Sequence, residues 1–206
     1  GNPSAITGAT LTKDRFDRAA SAYSFDGNDY ILTAPTTDSD SLTMAGWFKT
    51  NRATGIRQFI IFEGNEVHLH DITAGIDPSG RFVFTTKDND SLLSTGTITA
   101  GKWHQFVCSA DATNDLKTIW IDGEKVAEKK DWTGTANVGY HKPLAIGGLV
   151  DGDRVIPGFF VHGQVDDVRI YNRALSGGEV AGLHQMEGTS SLGLLANNKI
   201  LKPAKE

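Results

Sequence analysis

The sequence predicts an all-β fold, a sandwich or barrel of antiparallel strands, on three observations. Short segments rich in Thr, Val, Ile, Phe and Trp recur along the chain, and 23 glycines punctuate the intervals between them. Two intervals have the composition of tight antiparallel connections. Only one stretch carries the capping and apolar spacing of a helix.

In chain order, strands are expected at 22–25 (AYSF), 30–33 (YILT), 41–49 (SLTMAGWFK), 58–62 (QFIIF) and 67–76 (VHLHDITAGI). They continue at 81–86 (RFVFTT), 103–110 (WHQFVCSA), 116–121 (LKTIWI), 125–128 (KVAE), 144–146 (LAI) and 158–171 (GFFVHGQVDDVRIY). Asp77-Pro78-Ser79-Gly80 reads as a β-turn with Pro at its second position. Asp122-Gly123 reads as a two-residue type I′ hairpin turn, in which both residues need positive φ. After the last strand, Ser176 is a helix N-cap and Glu179 completes a capping box. Val180, Leu183 and Met186 then form one apolar stripe, which predicts a short helix near 177–186.

At 206 residues, 39% hydrophobic and 22% charged, the chain is long enough for one sizeable domain. Residues 1–186 are read as that domain and 187–206 as a C-terminal tail or linker that could pack on it. The net charge of −5 and the absence of a Lys/Arg cluster argue against a nucleic-acid partner. No apolar run approaches the ~20 residues that span a bilayer, so membrane insertion is not expected. The single cysteine, Cys108, excludes an intrachain disulfide and reads as a small core residue.

Four stretches, GATLTKDRFDRAASAYSFDGNDYI (8–31), LTMAGWFKT (42–50), GKWHQFVCSADATNDLKTIWIDGEKV (101–126) and GQVDDVRIYNRALSGGEVAGL (163–183), resemble the laminin G-like domains of the concanavalin A-like lectin/glucanase superfamily, as found in multidomain bacterial secreted proteins. The resemblance implies a two-sheet antiparallel jelly-roll β-sandwich, one sheet concave, often with one structural Ca²⁺. It implies an extracellular or cell-surface module of a larger chain, with any signal sequence outside residues 1–206. Family members usually open with an Asn/Gly/Asp-rich loop, and here only Gly1-Asn2-Pro3 stands in its place.

Asp166 and Asp167 interrupt an apolar strand, and a buried carboxylate without a partner costs several kcal/mol. Regular alternation places Asp166 with Val168 and Ile170, and Asp167 with Val165 and Arg169 on the opposite, solvated face. Asp166 then needs compensation, from Ca²⁺ or from loop N–H groups. The metal expectation names Asp166 and Asn2. Asp38, Asp40, Asp88, Asp90, Asp151 and Asp153 read as solvated loop acids, and His68, His70 and Asp71 as a sheet-face group without a third metal ligand of evident spacing.

Trp47, Trp103 and Trp120 each fall opposite the most apolar face of their strand, which suits either a sugar-stacking platform or a second small core under loops or tail. The latter is preferred. The candidate ligand surface is therefore assigned to loop aromatics, Trp132, Tyr140, His141, Phe159 and Phe160. Glucanases of the same superfamily resemble one another in an E-x-D-x-x-E strand, which this chain lacks, and neither G-x-S-x-G nor H-E-x-x-H occurs. The expected function is non-catalytic recognition of a glycan or an extracellular protein, with a structural spacer as the alternative.

Overall fold

The computed structural model describes residues 5–36, 39–64, 72–86, 90–136, 142–151 and 154–188. In chain order the strands are β1 (Ala5–Thr7), β2 (Thr10–Thr12), β3 (Ala22–Asp26), β4 (Tyr30–Thr33), β5 (Leu42–Thr50) and β6 (Gln58–Glu63). There follow β7 (Ile72–Ile76), β8 (Arg81–Thr86), β9 (Asp90–Thr97), β10 (His104–Asp111), β11 (Leu116–Ile121) and β12 (Glu124–Lys129). The series ends with β13 (Leu144–Ile146), β14 (Leu149–Asp151), β15 (Arg154–Ile156), β16 (His162–Tyr171) and the helix α1 (Gly177–Gly188). One seven-stranded antiparallel sheet has the order β1-β4-β13-β6-β7-β8-β9, and the other β12-β11-β10-β5-β16-β3-β2.

The two inner faces meet in one apolar core. Leu42, Met44 and Phe48 of β5 lie beside Phe106, Cys108 and Ala110 of the neighbouring β10 on one inner face, and share this core with the Phe82 and Phe84 rings of β8 from the other sheet, as period-two alternation requires. Burial raises the Cys108 thiol well above its ordinary pKa, so it is inert packing. The opposite parity of the second sheet, Ala45, Val107 and Trp120, packs against Leu175, Val180 and Leu183 of the helix and its approach. The small hairpin β14–β15 covers the outer face of the first sheet, where Leu149, Val150 and Ile156 lie on Phe59 and Phe62.

Both expected turns form. Asp122 and Gly123 have φ of 53° and 81° between paired Ile121 and Glu124. Asp77 Oδ1 accepts from the N–H groups of Ser79 and Arg81, each at 2.9 Å. The capping box also forms: Glu179 N–H donates to Ser176 Oγ at 3.3 Å, and Ser176 N–H to Glu179 Oε2 at 2.8 Å.

Three differences from the sequence reading have physical causes. The short strands β1, β2, β14 and β15 and the polar edge strand β9 carry too little apolar alternation to be seen. Phe159–Val161 does not begin the last strand; it crosses between sheets, with Phe59 N–H donating to the Phe159 carbonyl at 3.0 Å and Val161 N–H to that of Gly147 at 2.8 Å. The helix runs to Gly188, past the expected end at Met186. Residues 189–206 lie outside the described residues.

Candidate functional site

The acid pair that interrupts the last strand is a clamp. Asp166 pairs with Trp47 and Arg169 with Ala45, so Asp167 and Val168 together oppose Gly46 in a β-bulge. Asp167 takes a left-handed φ of 49° there. The extra residue reverses the alternation: Val165 and Val168 both face the core, and Asp166, Asp167 and Arg169 are buried on the helix side. This corrects the expectation that Asp167 is solvated and opposite to Asp166.

Arg15 is the compensation. Its Nη1 donates to Asp166 Oδ2 at 2.7 Å and its Nη2 to Asp167 Oδ2 at 3.0 Å, with the guanidinium 4.5 Å above the Trp47 ring. Asp14 shapes that segment by accepting from the N–H groups of Phe16 and Arg18 at 2.8 and 3.0 Å. Arg15 also donates to the Glu187 carbonyl at the end of α1, at 3.1 and 3.2 Å. The Glu187 carboxylate pairs with Arg169 and accepts from Trp47 Nε1 and Gln105 Nε2, both at 2.9 Å. His184 stacks on Trp47 with ring centres 5.8 Å apart. Burial, then the neighbouring Asp167 charge, pushes the Asp166 carboxyl up to about 7.

This arrangement does not fit the expected calcium. A Ca²⁺ takes about six to eight oxygens, whereas Asp166 offers one oxygen to a guanidinium and the other to the Asp167 N–H at 2.7 Å. No cluster of metal-ligating side chains occurs among the described residues, and Asn2 lies outside them.

Of the predicted ligand aromatics, the three that lie among the described residues, Trp132, Phe159 and Phe160, do not form a platform. Trp132 is 2% exposed and closes one end of the main core, its ring 5.8 Å from Lys117 Nζ. Phe160 is buried, and Phe159 stacks on Phe59 at 5.5 Å. Tyr140 and His141 lie outside the described residues, as do Asp38, His68, His70, Asp71, Asp88 and Asp153. Trp120 belongs to the second small core under α1, Trp47 is buried and donates to Glu187 of that helix, and Trp103, just before β10, is partly exposed.

An open feature missed by the sequence reading lies beside that second core. A groove of about 510 Å³ runs between β10–β12 and the first turn of α1. Ser109, Thr118 and the edge of Trp120 form its floor, Asp111 and Asn114 of the β10–β11 turn close one end, and Lys125 and Glu128 form one wall. Residues 174–177 and Glu179 form the other. A register shift in β12 sets Lys125 opposite Trp120 and Glu128 opposite Thr118, which brings both charges to the groove side. Thr118 is 3% exposed, and its hydroxyl has no protein partner among the described residues. Glu128 pairs with Lys125 and, at 3.5 Å, Lys130. The Arg173 guanidinium and the Ser176 N–H and hydroxyl hold the Glu179 carboxyl down at about 2.

A laminin G family model, that of the concanavalin A-like lectin/glucanases superfamily, matches residues 25–181. The chain belongs to this superfamily. Among solved structures, this superfamily member is similar to the binding domain of Paraclostridial Mosquitocidal Protein 1, at 16% identity and a TM-score of 0.67 over 88% of this chain and 46% of that one. It is also similar to the CBM40 of a Ruminococcus gnavus IT-sialidase, solved with α2,3-sialyllactose, at 13% identity and a TM-score of 0.62, over 80% of this chain and 96% of that one. A heptameric SAP-like pentraxin from Limulus polyphemus gives a TM-score of 0.58 at 13% identity, over 78% of this chain and 84% of that one. At these identities the likenesses show the fold. No curated protein matches the sequence. Among the described residues of the superfamily member, no helix is long and apolar enough to cross a membrane.

Proposed function

We propose that the chain is a non-catalytic carbohydrate-recognition module of an extracellular protein. The observation that carries this reading is the Thr118 hydroxyl, which belongs to an otherwise buried residue on the groove floor and has no protein partner among the described residues. That hydroxyl opens onto the groove, where a ligand hydroxyl can both donate to it and accept from it. Around Thr118 stand the groups that sugars use: a second hydroxyl at Ser109, the Asn114 amide, carboxylates, and an indole edge at Trp120. The superfamily and the sialyllactose-bound CBM40 supply the precedent for sugar recognition on this fold. Calcium and bond cleavage have no part in the reading, because Asp166 is committed to Arg15 and Glu179 to Arg173.

The test is a glycan array probed with the 206-residue chain and with Thr118→Val, which keeps shape and removes the hydroxyl. At least one glycan should bind, with affinity falling about threefold to tenfold in the variant. Failure of the wild-type chain to bind any glycan removes the reading in favour of a structural spacer.

A further inference from the structure

The groove's charges carry a second message. Among its lining residues one cation, Lys125, stands against three carboxylates, Asp111, Glu128 and Glu179; Lys125 pairs with Glu128, and Arg173 pairs with Glu179. Asp111 is the charged group there with no cationic partner among the described residues. It accepts from Thr113 N–H at 3.1 Å, Asn114 N–H at 3.2 Å and Asn114 Nδ2 at 2.7 Å. An acidic sugar entering the groove would meet an excess of like charge along its lining.

The facing wall supplies donors. The first N–H groups of a helix have no intrahelical acceptor, and in α1 these belong to Gly177 and Gly178. Neither glycine has a positive φ, and a Cβ at either would meet no protein atom within 4 Å. Neither conformation nor packing therefore asks for glycine, although each is worth roughly 1 kcal/mol less than alanine inside a helix. Gly177 lines the groove, and its lack of a side chain leaves its backbone N–H open to a ligand there. The positive end of the helix does not invite an anion, since Glu179 of the capping box already occupies it.

We infer that the groove selects uncharged glycans and rejects sialylated and uronate-bearing ones. A donor at the Gly177 N–H, acceptors at Asp111 and Glu128, and the Thr118 hydroxyl match sugar hydroxyls, each of which donates and accepts. The inference rests on the carbohydrate reading and names its ligand class.

The experiment measures the 206-residue chain against glycan pairs identical except for a terminal sialic acid or glucuronate. The neutral member of a pair should bind about tenfold tighter or more, and Asp111→Asn should narrow that gap. Gly177→Ala should raise Tm slightly while weakening neutral-glycan binding, a combination that loss of folding does not produce. Equal or tighter binding of the acidic members overturns the inference and leaves the carbohydrate reading in place. Neutral binding untouched by Gly177→Ala and Thr118→Val also overturns it, by placing the sugar elsewhere. Absence of all glycan binding removes the carbohydrate reading and this inference together.

Discussion

Asp166 and Asp167, adjacent in sequence, point to the same side of their strand and share the guanidinium of Arg15, at 2.7 and 3.0 Å. The bulge at Asp167 makes this possible, and Arg15 ties the strand to the N-terminal segment and to the Glu187 carbonyl near the end of α1. The clamp fastens the helix whose first turn is one wall of the groove.

Replacing Arg15 by Met should therefore be strongly destabilising, by about 3–5 kcal/mol in denaturant unfolding, because the buried Asp166–Asp167 acid pair loses its counter-charge and hydrogen-bond donors. Combining Arg15→Met with Asp166→Asn and Asp167→Asn should recover part of that loss. Arg15→Lys should recover little, since a point-like ammonium cannot span both oxygens as the planar fork does.

Glu187→Gln tests the other half of the clamp. The amide keeps one acceptor oxygen for Trp47 Nε1 and Gln105 Nε2 but removes the charge opposite Arg169. A loss of about 2–4 kcal/mol is expected from the buried guanidinium left without its partner. It should be accompanied by a red shift of tryptophan fluorescence as water reaches Trp47.

Two buried groups give opposite pH signatures. Asp166 has its carboxyl raised to about 7, so between the ordinary carboxylate range and 7 the folded chain holds a proton that the unfolded chain has lost. Its contribution is full at low pH and declines as pH rises to 7. Lys117, fully buried beneath Phe84 and Trp132, is lowered by burial to about 8 from 10.5. Here the folded chain loses the proton first, and stability rises from pH 8 toward 10.5. Calorimetric scans of wild type against Asp166→Asn over pH 4–7, and against Lys117→Met over pH 8–10, should show each slope vanish in the matching variant; parallel curves would refute the assignment.

The parts of this fold that are visible in sequence are those set by local rules. Period-two alternation identified the inward faces of Leu42, Met44 and Phe48 and of Phe106, Cys108 and Ala110, the Asp122-Gly123 turn fixed a hairpin, and Ser176 with Glu179 fixed a helix start. The same alternation failed at Asp167, because one inserted residue inverts every later side chain and leaves no mark in composition. The partner of Asp166 was invisible for another reason: Arg15 lies 151 positions away, inside a stretch that looks like a polar loop. Trp132 misled because a loop position does not prevent an indole from folding inward to close the sandwich. The groove depends on a second register shift, at Ile119/Trp120, and on where α1 lands, neither of which the sequence pattern encodes.

The helix start is the element shared by stability and recognition, and Ser176→Ala separates the two. Ser176 Oγ accepts the Glu179 N–H and donates to the Glu179 carboxylate at 2.9 Å, while Arg173 holds that carboxylate from the other side at 2.7 and 3.1 Å. Loss of the cap should cost about 1 kcal/mol of global stability. The clamp at Glu187 would hold the far end of the helix, so fraying should stay in the first turn, where Gly177 lines the groove. Amide exchange should accelerate at residues 177–180 while His184 and Glu187 remain protected. Glycan affinity should fall by more than the stability change explains, because the N–H donors then lose their fixed direction; unchanged affinity would mean that the lip takes no part in binding.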